Sequence, residues 1–287
     1  MTMKHLAPVS LAVLAGTALC TAQSAWLPAE QQFKLTPGFS YSSFDKFWAG
    51  DSKVSIPKDF KQYTGYLSLE YGILPNLAAD ATVGYTATDA DAFGPNSSDN
   101  GLMDTSIGLR YRIFDEHTAG CPWAPTVAVR IGGVIPGTYD ENAPFSAGDG
   151  AYGFESSLLF GKAFGETGFG AYGDLGYRFR ESPTPDEMFG SVGLYKQFGP
   201  VTLAGGYRHI QSTSGIDIGG ADFNPGLGLS HGFPAVKEIN QLVEAGVSYT
   251  DRGGRNYQFS VAKSVDGRNT GDKWVFGFNI TLPFGGK

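Results

Sequence analysis

WVFGFNITLPF, residues 274–284, places Trp274, Phe276, Phe278, Ile280, Leu282 and Phe284 on one parity and Gly277, Asn279 and Thr281 on the other. Successive side chains of a strand point to opposite faces, so this alternation reads as a strand with one apolar face. Every one of these six apolar positions is large, and four are aromatic. The segment is short of the ~20 apolar residues that a spanning helix needs.

The same period recurs upstream. Tyr63, Gly65, Leu67, Leu69, Tyr71 and Ile73 alternate with Thr64, Tyr66, Ser68, Glu70 and Gly72. Ala79, Ala81, Val83 and Tyr85 alternate with Asp80, Thr82, Gly84 and Thr86. Residues 103–113, 127–131, 169–180 and 239–249 repeat the pattern. Weaker segments at 35–47, 152–160, 188–197, 201–210 and 257–263 complete a set of twelve, the even number expected of a single-chain bacterial barrel. The connections alternate in length. Residues 74–76, 165–167, 199–200 and 251–256 are short, with 114–125 the long member of that class; 49–60, 89–100, 136–150, 211–237 and 264–272 are longer and polar, and 181–186 is the shortest of these. Short periplasmic turns and long outer loops predict an all-β, transmembrane, antiparallel up-and-down barrel with both termini periplasmic.

Composition agrees. The 287 residues include 41 Gly, 21 Phe and 14 Tyr, and only 17% are charged, against about 25% in ordinary domains. A soluble β-sandwich also alternates. Against it, Tyr63, Tyr71, Tyr85, Tyr111, Tyr177, Tyr207, Tyr249 and Trp274 lie at or near strand ends on the apolar parity, where an aromatic girdle belongs. Net charge is −7, which argues against a nucleic-acid partner.

The N-terminus reads as a secretory signal. Lys4 and His5 precede the apolar run 6–19, and small residues follow at Cys20, Thr21 and Ala22. Cleavage after Ala22 is expected, giving a signal peptide over 1–22 and a barrel domain over 23–287. The competing lipoprotein reading of Cys20 is disfavoured by the bulk of Leu19. Cys121 is then the one remaining cysteine, and no intramolecular disulfide can form.

Parity sends Glu70, Asp80, Arg110, Arg112, Arg130, Glu155, Asp174, Arg178, Arg180, Arg208 and Glu244 inward. Confined charges need partners or water. Contacts are expected between the arginines and Glu70, Asp80 or Asp174, either as a network that fixes barrel shape or as a constriction that selects solutes. Metal-ligand spacing and a catalytic set are lacking: His117, His209 and His231 are isolated, and His209 and Ser212 fall on opposite parities. The outer loops carry Asp89, Asp91, Asp99, Asp140, Glu141, Asp149, Asp217 and Asp222, a solvated surface or a site for cations that bridge to lipopolysaccharide. The loop 211–237, rich in Gly, Pro and Phe, is a candidate plug.

Four segments carry a family resemblance: EYGILPNL (70–77), GLMDTSIGLRYRIFD (101–115), VRIGGVIPGTYD (129–140) and LGYRFRESPTPDE (175–187). In this order they resemble the MetA-pathway phenol-degradation family of outer-membrane proteins. The resemblance implies a Gram-negative outer-membrane barrel that passes small solutes, hydrophobic or aromatic compounds among them, with no catalytic set and no cofactor. It also implies outer-membrane lipid, lipopolysaccharide and the barrel-assembly machinery as partners. A non-transporting structural or adhesion barrel is the alternative, and a lipid-modifying enzyme a more remote one. One departure is the C-terminus, which runs past Phe284 through Gly285, Gly286 and Lys287, whereas many barrels end on an aromatic residue.

Overall fold

The computed structural model describes residues 24–91, 98–143, 145–218, 220 and 233–286. The expected signal peptide, Asp222, His231 and much of the loop 211–237 lie outside these. Thirteen strands are assigned: β1 (Gln32–Ala49), β2 (Ser52–Leu74), β3 (Leu77–Asp89), β4 (Asn100–Leu102), β5 (Thr105–Phe114), β6 (Thr126–Ile135), β7 (Gly153–Ala163), β8 (Phe169–Arg180), β9 (Glu187–Phe198), β10 (Val201–Ser212), β11 (Ile239–Thr250), β12 (Asn256–Arg268) and β13 (Trp274–Gly285). β4 and β5 are two pieces of one wall strand. β4 pairs with Tyr85 to Ala87 of β3, β5 pairs with Leu77 to Thr82, and Met103 and Asp104 form the break between them. The wall therefore has twelve positions. Each expected strand is present.

Neighbours along the chain are antiparallel neighbours in space, and the ring closes where β1 pairs with β13 from Gln32↔Gly285 to Ser43↔Trp274. Closure leaves no strand edge, which is what lets a sheet cross hydrocarbon with its backbone groups satisfied. No helix among the described residues is long and apolar enough to cross a membrane, which has no bearing on a barrel.

The two parities separate as the sequence predicts. Phe39, Val83, Ile107, Leu109, Leu175, Phe259, Phe276 and Phe278 are exposed on the outer surface, whereas Ser68, Thr82, Arg110, Arg130, Glu155, Gln258 and Asn279 are buried. An outer surface so apolar belongs against lipid.

Two expected loops are corrected. Residues 49–60 are strand: β1 and β2 rise as a ribbon to a two-residue turn at Gly50 and Asp51. Gly50 has φ +60°, which suits glycine in so tight a turn. Beyond the membrane neither face of a ribbon needs to be apolar, so Ser52, Lys53, Ser55, Lys58 and Asp59 gave no alternation. Residues 264–268 likewise continue β12.

Candidate functional site

The inward charges gather into one continuous row. Arg110 holds Glu70 at 2.6 Å and Asp80 at 3.3 Å. Arg130 holds Asp80 at 2.7 Å and Glu155 at 2.9 Å, and also donates to the Ser106 hydroxyl. Arg178 bridges Glu155 at 2.8 Å and Glu187 at 3.0 Å; Arg180 joins Glu187 at 2.8 Å and pairs with Asp149 of the β6–β7 loop. Acids and arginines alternate without a break.

The geometry follows from strand tilt. Glu70 lies directly across from Asp80, Arg110 from Arg130, and Glu155 from Arg178, which in turn faces Glu187. Strands of a closed barrel tilt against its axis, so a row running sideways from strand to strand also climbs. Glu70 is near the periplasmic end of β2, whereas Glu187 opens β9 at the outer rim. The ladder thus rises from one mouth toward the other. With Arg130 only 2% exposed, each of its bonds forms away from bulk water.

The other inward residues are placed separately. Arg208 pairs with Glu244 at 3.0 Å across β10 and β11. Asp174 accepts the Ser191 hydroxyl and takes no part in the row. Arg112, expected inward, pairs with Asp115 at 3.0 Å and donates to the Pro75 carbonyl, which makes it a tie at the periplasmic rim. Parity missed three members. Lys34 lies opposite Glu70 in the closing strand. Glu187 sits at a strand start, and Asp149 is carried in by a loop.

A second pattern explains the inward glycines. Gly38 faces Tyr66, Gly170 faces Tyr195, Tyr172 faces Gly193, and Gly176 faces Phe189, each pair directly opposed across neighbouring strands. A Cβ on any of these glycines would stand 2.1–2.2 Å from the ring. The rings lie flat against the wall because nothing projects beneath them.

The segment that leads into β1 enters the lower lumen. Ala25 packs on Ala128 and Leu159, and the Trp26 ring covers Gly161. The Trp26 indole donates to Glu116 at 3.0 Å, and Arg110 donates to the Ser24 carbonyl at 3.2 Å.

Outside, Tyr71, Tyr85, Tyr111, Tyr249 and Trp274 are exposed toward strand ends. Tyr63 and Tyr207, expected there too, are exposed in the middle of β2 and β10, because β2 runs on into the ribbon and β10 to Ser212. Tyr177 is half-buried and donates to Asp186 at 3.0 Å. His209 bonds to Gln211, and Ser212 accepts the Glu238 amide on the other face, so the two form no pair. No group of three or more His, Cys, Asp or Glu among the described residues could hold a metal.

A closed twelve-position ring, apolar outside and lined with charge, defines the class: a bacterial outer-membrane β-barrel. Within that class the chain belongs to the family described as "Putative MetA-pathway of phenol degradation", whose model matches residues 44–272. Among solved structures, an outer membrane channel from Pseudomonas putida F1 aligns with a TM-score of 0.71 at 13% identity, over 93% of this chain and 100% of that one. The KdgM porin in complex with disordered oligogalacturonate gives 0.48 at 9%, over 87% and 99%. The CymD monoaromatic hydrocarbon channel gives 0.44 at 11%, over 89% of each. No curated protein matches the sequence.

Proposed function

We propose that this barrel is an outer-membrane channel for small solutes, phenolic or other aromatic compounds among them, and that the inward charges form its constriction. The observation that carries this reading is the charge ladder. A barrel that served only as a wall could fill its interior with apolar side chains, whereas paired charge keeps a polar path through a lumen narrower than that of a sixteen-stranded porin. Family membership supports the aromatic part. Conductance in planar bilayers tests the channel: the wild-type barrel should conduct, and Arg110→Ala should raise conductance and shift selectivity toward cations. Unchanged conductance with lowered stability would make the ladder structural.

One observation favours the second reading, a non-transporting barrel. The segment around Trp26 enters the lower lumen, where its ring meets Tyr195 edge-on at 6.2 Å and Ala25 packs on Ala128 and Leu159. A barrel that stays closed in bilayers, even with residues 24–30 deleted, would favour it.

The rest of the reading concerns export and surroundings. Residues 1–22 act as a cleaved signal, so the mature chain should begin at Gln23 by mass spectrometry. The exposed tyrosines and Trp274 anchor the two lipid interfaces. Phe284 serves as the aromatic signal for the assembly machinery, and outer acids such as Asp91 meet lipopolysaccharide through divalent cations.

A further inference from the structure

The outer mouth contains an aromatic cluster that the ladder does not use. Phe44 of β1 and Phe60 of β2 are cross-strand partners whose rings stack 4.8 Å apart, at 25°. Both are buried, and Ala90 and Ile56 pack beside them. A Cβ on Gly271 would meet the Phe44 ring at 2.7 Å, so the β12–β13 connection closes one flank.

Phe145 fills this cradle from the β6–β7 loop. Its ring sits edge-on to Phe44 at 4.9 Å and 72°, and 5.4 Å from Phe60. Such offsets and edge-to-face angles are those that aromatic quadrupoles prefer. The loop is tied down on either side of Phe145. Thr138 donates to the Leu102 carbonyl at 3.0 Å and Gly137 to Asp104 at 3.1 Å, both through backbone amides. Tyr139 donates to Asp104 and accepts from the Gly150 amide, while Asp149 holds Arg180. Phe145 itself has φ +53°. A bulky L-residue rarely adopts that conformation, so the ring contact holds the backbone in a disfavoured state that would relax if the ring left.

We propose that the Phe44–Phe60 cradle is a docking site for a single-ring aromatic solute and that Phe145 is its built-in competitor. The occupant is identified by what the cradle already holds: one phenyl ring, edge-on, with apolar neighbours. A planar ring from solution can reproduce those contacts, whereas an alicyclic ring of similar size lacks the quadrupole. Displacement lets Phe145 leave its unfavourable backbone conformation while the ties at Asp104 and Arg180 keep the loop in place. This rests on the channel reading and names where its solute would first dock.

The test is a ¹⁹F NMR titration of the refolded full barrel in detergent with 4-fluorophenol, using protein-free micelles as blank. Phe145→Ala should bind at least about tenfold tighter than wild type, because the competitor is gone. Adding Phe60→Ala to that variant should abolish the gain, and fluorocyclohexane should show none. Heat-modifiable migration verifies folding. Should Phe145→Ala fail that check, Phe145→Leu serves in its place with a smaller gain. Affinity equal to wild type, or an equal gain for fluorocyclohexane, overturns the proposal. Bilayer conductance separates it from the channel reading. A conducting Phe145→Ala barrel with unimproved binding sinks the site alone, and tighter binding without conductance in any variant sinks the channel alone.

Discussion

From β2 to the outer end of β9 the wall carries one row of paired charge; along the rest of β8 and β9, and once between β1 and β2, it carries rings laid over glycines. Both sectors face the same confined space, yet they fail differently. A charge in the row depends on neighbours one and two strands away, so removing Arg130 leaves Asp80 to Arg110 alone and Glu155 to Arg178 alone. A ring over glycine depends on one empty position, so Tyr172 keeps its place as long as Gly193 has no side chain. The difference shows two ways to build a narrow bore: one cooperative and one local.

The sharpest way to break the comparison is Arg130→Ala. It takes one of two arginine partners from both Asp80 and Glu155 and breaks the row at its most buried cation; removing one partner of a buried pair typically costs about 3–5 kcal/mol. Urea unfolding followed by heat-modifiable migration should show that loss, and bilayer conductance should rise. A loss under about 1 kcal/mol would mean the row behaves as exposed pairs do.

Phe278→Arg calibrates the outer surface against both inner sectors. Phe278 stands on the lipid-facing parity, exposed beside Phe276, and a cation at the midplane should cost roughly 2–4 kcal/mol. A tolerated arginine there would contradict the assignment of the faces.

Gly193→Val tests the local device. The new side chain would displace the Tyr172 ring from the wall and should cost about 1–3 kcal/mol, the range for overpacking. Its conductance effect should have the opposite sign to that of Arg130→Ala, because the displaced phenol enters the bore. Equal signs would show that the two sectors do not act separately.

The smallest effect is expected at the rim. Asp272 ties Lys53 of the ribbon at 2.8 Å and also holds Lys263. Burial opposes its ionisation, yet hydrogen bonds from Lys263 and Lys53 hold its carboxyl below the ordinary value of 3.8. A depressed carboxyl stabilises above its unfolded pKa and stops doing so as pH falls through the folded one. Asp272→Asn should therefore cost under about 1 kcal/mol at pH 7, and the gap from wild type should close as pH falls below 3.8. A gap that persists in acid would mean that charge is not involved.

Much of this was legible beforehand because a membrane barrel writes its two faces into sequence parity. Glu70, Asp80, Arg110, Arg130, Glu155, Arg178 and Arg180 are inward residues, and their union in one row needed only the register between strands. What parity cannot carry is chain that leaves the wall. Asp149 reaches Arg180 because a loop folds back, and Phe145 reaches Phe44 the same way. Residues 24–31 have no period at all, so nothing announced Trp26 in the lumen. Arg112 had the right parity but sits one turn from Asp115, and the nearer acid claimed it.

The seam between β1 and β13 has a kinetic consequence. Thr36 and Thr281 share a hydrogen bond across 245 positions of chain. To the finished ring those two strands are ordinary neighbours, but to the growing chain they are the most distant pair available. The entropy of bringing them together rises only with the logarithm of the separation, so distance alone adds little to the cost. Timing matters more, because every earlier hairpin can form while the ring is still open, and two unpaired edges persist until the last strand arrives. Cutting the chain elsewhere and joining the old ends through a short linker would move that moment without changing the product. A permutant opened at the 251–255 turn should reach the same barrel by a different final step.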